Sequence, residues 1–186
     1  MKPNSKFTLL HRALHWTMAF ALTILFITGF LRMTYMSKKS TAAIVLFQAT
    51  DVSKEAAAAI AKAILAPMWQ WHVVFAFIMV AAVLVRLGYM TFKGVRFTNP
   101  FQKNLPVKKR LQGLTYVFFY VCVLMSMVTG IIIKLGLFDE AHHTIEAVHK
   151  WGIYWVPVFV VLHLVGVVLA EHSDEKGITS KMIGGD

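Results

Sequence analysis

Four histidines carry the chemistry that this sequence offers: His15, His72, His149 and His163, each set inside or at the edge of an apolar run. HKWGIYWVPVFVVLH places His149 and His163 fourteen residues apart, at the two ends of one such run. As one helix that is about 21 Å of rise, and fourteen steps of roughly 100° return nearly to the same face. Ionisable side chains within a membrane turn away from hydrocarbon, so that face points into the molecule. Two imidazoles approaching from opposite sides are what a six-coordinate haem iron takes as axial ligands, and axial ligation is a main lever on its potential.

The cysteine content narrows the cofactor. Cys122 is the single cysteine of the chain, so the Cys-x-x-Cys-His of covalent haem attachment is absent. Four-cysteine iron–sulfur ligation is excluded as well. Any haem is therefore b-type and non-covalent, and Cys122 itself reads as a small apolar residue of the third span.

Those histidines need elements to hold them. The chain has 186 residues, 58% hydrophobic and only 15% charged, whereas a soluble domain has nearer a quarter charged. Spanning a bilayer takes about 20 mainly apolar residues as helix. Leu14–Met36, Met68–Met90, Leu114–Leu135 and Trp151–Ala170 meet that length. The expected fold is all-α, an integral membrane four-helix transmembrane bundle, with no room for a separate soluble catalytic domain. The first run follows a basic start, MKPNSK, but is too long for a signal peptide and lacks a small-residue cleavage pattern, so it reads as a retained helix. Thr41–Ala49 is apolar but too short to span, and reads as an interfacial or packed loop. SKEAAAAIAKAIL reads as a short helix capped by Ser53 and closed by Pro67, serving either as packing or as a docking surface for an outer partner.

Charge sets the orientation. Lys2, Lys6 and Arg12 precede the first span, and the loop TFKGVRFTNPFQKNLPVKKR carries six basic residues, Arg96 among them, and no acid. GLFDEAHHTIEAV carries three acids and no Lys or Arg. The positive-inside rule then puts both termini and the 91–111 loop in the cytoplasm, with the acids Asp174 and Glu175 of the tail weighing little. The net charge of +10 is a topology signal and a contact for anionic lipid, not a nucleic-acid surface.

With that topology, His72 and His149 lie near the outer face and His15 and His163 near the inner face. Each pair draws its members from two different helices. His11 competes with His15, being one turn earlier, and ranks lower because it stands outside the apolar run. His142, His143 and His172 read as solvated. Arg86 stands fourteen residues after His72, at the inner pair's depth, and Arg32 stands at the outer end of the first span. Guanidinium suits the two propionates of a porphyrin, the alternative being plain snorkelling at helix ends. Gly29 and Gly130 would let a flat macrocycle approach the backbone, or serve simple helix packing.

HWTMAFALTILFITG, with its His-Trp and a glycine fourteen residues on, resembles the first helix of the bacterial di-haem cytochrome b superfamily. That superfamily includes cytochrome b561 and the membrane subunits of formate dehydrogenase and nickel–iron hydrogenase. WHVVFAFIMVAAVLVR resembles its second helix, with Ala76 where glycine is common. VTGIII, the spacing of His149 and His163, and KGITSKMIGG are similar to the rest of the formate dehydrogenase subunit, so the likeness covers nearly the whole chain. The resemblance implies one haem on His72 and His149 and another on His15 and His163, the pairing that depth alone gives. It also implies a quinone site near the inner haem, where an Asn-x-Gly-Gln run is matched in KRLQG by Gln112 alone. His11, Gln112 and Lys6 are the polar groups near that depth.

The expected molecule is a single di-haem cytochrome b transmembrane domain over residues 1–186, multi-pass in a bacterial inner membrane. Its cofactors are two haem b groups, with ubiquinone or menaquinone as substrate. It would transfer electrons between a periplasmic electron-transfer subunit, or a c-type cytochrome, and the membrane quinone pool. A chain this small implies a partner subunit that oxidises the primary substrate. The alternative within redox chemistry is a stand-alone cytochrome b561-type superoxide:quinone oxidoreductase. A haem-free four-helix transporter or sensor is the alternative outside it, and predicts no haem absorbance.

Overall fold

The computed structural model describes residues 7–49, 51–94, 98–173 and 176–184. Lys2, Lys6, Arg96, Asp174 and Glu175, used in the charge argument, lie outside the described residues. Among those described there is no strand, and seven α-helices follow in order. They are α1 (Leu9–Met33), α2 (Lys38–Gln48), α3 (Lys54–Phe92), α4 (Val107–Leu135), α5 (His142–Lys150), α6 (Gly152–Glu171) and α7 (Ile178–Ile183). Four spans are long and apolar enough to cross a membrane: α1, α3, α4, and α5 with α6 taken together.

Local chemistry starts and stops these helices. Thr8, Ser37 and Ser53 cap α1, α2 and α3, each side chain accepting from an amide three residues on. Such a cap contributes about 1 kcal/mol. The Ser53 cap is the one expected from sequence. α4 ends at Gly136, whose φ of 63° is left-handed, while Leu137 N–H donates to Ile132 and Gly136 N–H to Ile133. That is a Schellman close, which needs a residue free to adopt positive φ.

Packing runs α3–α1–α6–α4, with α5 also against α4. The buried stripe Leu14, Met18, Ala21 and Leu22 of α1 meets Phe75, Met79, Ala82 and Val83 of α3 in one apolar cluster. Both stripes step i, i+4, i+7, i+8, the spacing of one helix face. Leu84, Val121, Val161 and many other large apolar side chains are exposed, as suits a surface facing lipid rather than water.

Three expectations are corrected. Thr41–Ala49 is not a loop: Lys38–Gln48 is the helix α2, packed against α3. Ser37 starts it, and packing stabilises a segment too short to hold alone. Pro67 does not close a helix before the second span; α3 runs through it for 39 residues, about 58 Å. Proline removes one donor to the Ala63 carbonyl, a loss that long apolar helices absorb. The fourth span is not one helix carrying both histidines. A tight turn at Trp151 separates α5 from α6, with Trp151 N–H on Val148 and Tyr154 N–H on Trp151. Gly152 follows as the first residue of α6, and Pro157, five residues further on, withholds an N–H from Ile153. Two helix starts also move outward, to Leu9 and Val107, so His11 and Gln112 lie inside helices.

Candidate functional site

The bundle holds two layers of paired histidines. The layer far from α7 joins His72 of α3 to His149 of α5, ring centroids 6.4 Å apart and planes crossing at 78°. The layer near α7 joins His15 of α1 to His163 of α6, centroids 5.9 Å apart at 41°. His149 and His163 stand on either side of the turn at Trp151, on α5 and α6, and each meets the partner inferred from depth.

Neighbours fix the far pair. His72 Nδ1 is 2.7 Å from Thr28 Oγ1, and Trp69 stacks flat on the ring at 5.1 Å. His149 Nδ1 lies 3.1 Å from both Thr129 Oγ1 and the Ser126 carbonyl. The Ser126 hydroxyl accepts from Trp155 Nε1 at 3.2 Å, tying α6 to the same turn of α4. Gly29 and Gly130 back the two rings. A Cβ on Gly29 would stand 3.8 Å from His72 Cε1, and one on Gly130 only 3.0 Å from His149 Cε1. In the structure, then, the flat group directly against each glycine is a histidine ring.

The near pair is packed by aromatics. Trp16 meets His15 edge-on at 5.4 Å, and Phe159 stacks on His163 at 5.6 Å. His11 belongs elsewhere: it stacks on Phe7 at 5.0 Å and meets Tyr89 edge-on. Geometry thus favours His15 over His11 as the partner of His163. Arg86 donates from Nε to Tyr120 Oη at 3.0 Å. Arg32 donates to the Met36 carbonyl at 3.4 Å, closing the end of α1. Gln112 is half-buried. The neighbouring Gly113 is where the 98–100 loop presses on α4, since a Cβ there would stand 2.7 Å from the Thr98 carbonyl oxygen.

α7 returns to this end of the bundle. Arg12 Nη1 donates to the Ile183 carbonyl at 3.0 Å, and Trp16 Nε1 to that of Met182 at 3.3 Å. The Glu171 carboxylate accepts from Gly177 N–H, Thr179 N–H and Thr179 Oγ1, holding the turn into α7. Lys108 Nζ hydrogen-bonds Ser173 Oγ. Arg12 Nε is buried and has no hydrogen-bond partner among the described residues. An orphaned guanidinium nitrogen three residues before His15 is a donor waiting for an anionic oxygen.

Sequence reasoning missed Thr28, Thr129, Ser126 and, as a site residue, Arg12. The signal for two of them was present in the paired Thr-Gly of FITGF and MVTGI, read there for its glycines only. Of the exposed or surface histidines, His143 and His172 are exposed and His142 half-buried.

The donor set fits a haem better than a bare ion. Among the described residues no three His, Cys, Asp or Glu side chains converge. Each layer supplies two imidazoles, which leaves the other four positions of a six-coordinate iron to a porphyrin. An imidazole nitrogen sits about 2 Å from a metal, and the ring centre about 1 Å behind it. Two rings on one metal therefore put their centroids about 6 Å apart, the spacing found in both layers.

The model of the prokaryotic cytochrome b561 family matches residues 6–185, almost the entire chain, and the protein belongs to that family. It is accordingly a multi-pass membrane b-type cytochrome of electron transfer. No curated protein and no solved structure matches the chain.

Proposed function

From that membership we propose that the chain is a di-haem cytochrome, a single domain passing electrons between a periplasmic redox partner and the membrane quinone pool. What carries the reading is the pair of centroid distances, 6.4 and 5.9 Å, each suited to two imidazoles on one iron. His72 and His149 would hold one haem, His15 and His163 the other. Bound haem iron supplies a one-electron couple at each layer, chemistry that no side chain here has.

The chain's own residues do the rest. Trp69, Trp16 and Phe159 pack against the histidine rings and limit their orientation. Arg12, whose Nε has no partner among the described residues, would with Arg86 offer guanidinium to propionates at the near layer, and Arg32 would do so at the far end of α1. The basic 91–111 loop supports a near layer at the cytoplasmic face and a far layer at the periplasmic face. Gln112 and His11, at helix starts, would hydrogen-bond a quinone head group, ubiquinone or menaquinone, and the His11 imidazole would pass it protons from cytoplasmic water. The far face, with α2 and the first turns of α3, would receive an electron-transfer subunit or c-type cytochrome.

A reduced-minus-oxidised spectrum with haem stoichiometry on the purified protein tests this. The expected result is two b-type haems per chain, falling to one in His72→Ala and in His149→Ala. A stoichiometry of zero or one in the wild type overturns it. In the same preparation, Gln112→Leu should slow oxidation by a soluble quinone analogue about tenfold, equivalent to about 1.4 kcal/mol of barrier, with both spectra intact.

A further inference from the structure

Thr28-Gly29 on α1 and Thr129-Gly130 on α4 meet the far histidines in the same way, although they lie on different helices. In each, the threonine hydroxyl has one proton and spends it on its own helix. Thr28 Oγ1 donates to Ile24 at 2.7 Å, and Thr129 Oγ1 to Met125 at 2.7 Å, the back-bond to the carbonyl four residues earlier. With the proton so placed, each oxygen offers a lone pair to a histidine Nδ1–H. For His149 the tautomer is fixed twice over, because the Ser126 carbonyl at 3.1 Å has no proton to give. Both far rings thus carry hydrogen on Nδ1 and an unprotonated Nε2. Gly130 leaves the His149 ring room to sit there, since a Cβ would stand only 3.0 Å from Cε1, while at Gly29 the same distance to His72 is an ordinary 3.8 Å.

The near rings are held differently. Among the described residues His15 and His163 meet aromatic rings and no hydrogen-bond acceptor. An Nδ1–H that donates to oxygen makes the opposite nitrogen a more basic ligand. A more basic ligand favours the more highly charged ferric state, and hydrogen bonding around the axial ligand is a recognised lever on potential.

We infer that the two Thr-Gly pairs are a repeated positioning device that fixes the iron-binding tautomer of His72 and His149 and makes the far layer the more reducing of the two. The inference rests on the haem reading above and adds a direction to it: electrons run downhill from the far layer to the near one. Thr28 and Thr129 act through the histidines and touch no reacting atom.

Potentiometric titration of the full-length protein, followed optically and by electron paramagnetic resonance, tests this. Ring planes at 78° and 41° give the two ferric centres signals of different anisotropy, and the component lost in His72→Ala identifies the far one. The far component should have the lower potential in the wild type. Thr28→Val should raise it and leave the near component in place, and Thr28→Ser should restore it. Thr129→Val should raise it by less, since the Ser126 carbonyl still accepts. A far component that stays put in both valine variants with haem bound overturns the inference, as does an equal shift of both components. Should Thr28→Val not assemble, Thr129→Val decides by the same criterion. Absence of any paired-histidine signal in the wild type overturns the haem reading itself, a separate and visible outcome.

Discussion

Gly130 is the tightest point of the far layer, because a Cβ there would stand 3.0 Å from His149 Cε1. That is closer than nearly all real Cβ contacts, so the ring would have to give by a few tenths of an ångström. At Gly29 the same distance is 3.8 Å, an ordinary van der Waals contact. Gly130→Ala should therefore alter the far centre's resonance and lower its haem content, while Gly29→Ala leaves both close to wild type. Haem-to-protein ratio and the resonance line shape check the pair of outcomes. The histidines themselves were legible in the sequence because imidazole is costly in an apolar run and so announces a purpose. Thr28 and Thr129 were not, because a threonine in a helix satisfies its hydroxyl on its own backbone and carries no such cost. Arg12 was visible only as a charge, since its buried Nε depends on where α7 lands.

Among the elements, the two prolines inside helices do different work. Pro67 lies in a continuous α3, where alanine would return an N–H to the Ala63 carbonyl without moving His72. Pro67→Ala should raise the thermal midpoint, by at most the ~3 kcal/mol that separates the two residues in a helix interior, with both haems retained. Pro157 stands six residues after Trp151, where α5 and α6 are separated. Pro157→Ala should relax that break toward one helix, rotate α5, and lower far-layer haem severalfold more than near-layer haem. Melting curves read by haem absorbance, with stoichiometry, separate the two. The apolar runs revealed that four spans exist, since length and hydropathy are sequential properties. Their ends were less legible: whether a proline stops a helix or is carried through it depends on neighbours that replace the lost hydrogen bond. α2 illustrates the same point, an eleven-residue segment stable as a helix because α3 lies beside it.

At the scale of the whole molecule, the up-and-down order of spans puts the start of α1, the ends of α3 and α6, and the start of α4 at one end. Thr8 Oγ1 to Tyr89 Oη at 2.8 Å, and the Lys108–Ser173 hydrogen bond, record that arrangement. Its proposed orientation in the membrane rests on the basic loops and is testable directly. In a Cys122→Ser background, Lys103→Cys should react with a membrane-impermeant maleimide only after the cytoplasmic face is opened. Glu140→Cys should react from outside in intact cells; the opposite pattern would invert the proposed direction of electron flow. Both native side chains are exposed. Composition, span length and the depth of four histidines were enough to determine an all-helical membrane bundle and which histidines pair, because depth in a bilayer is set by position along the chain. Only the tertiary structure decided how each ring is held. Hydrogen-bond partners for His72 and His149 come from α1 and α4, so orientation depends on contacts between helices that no periodicity within one of them encodes.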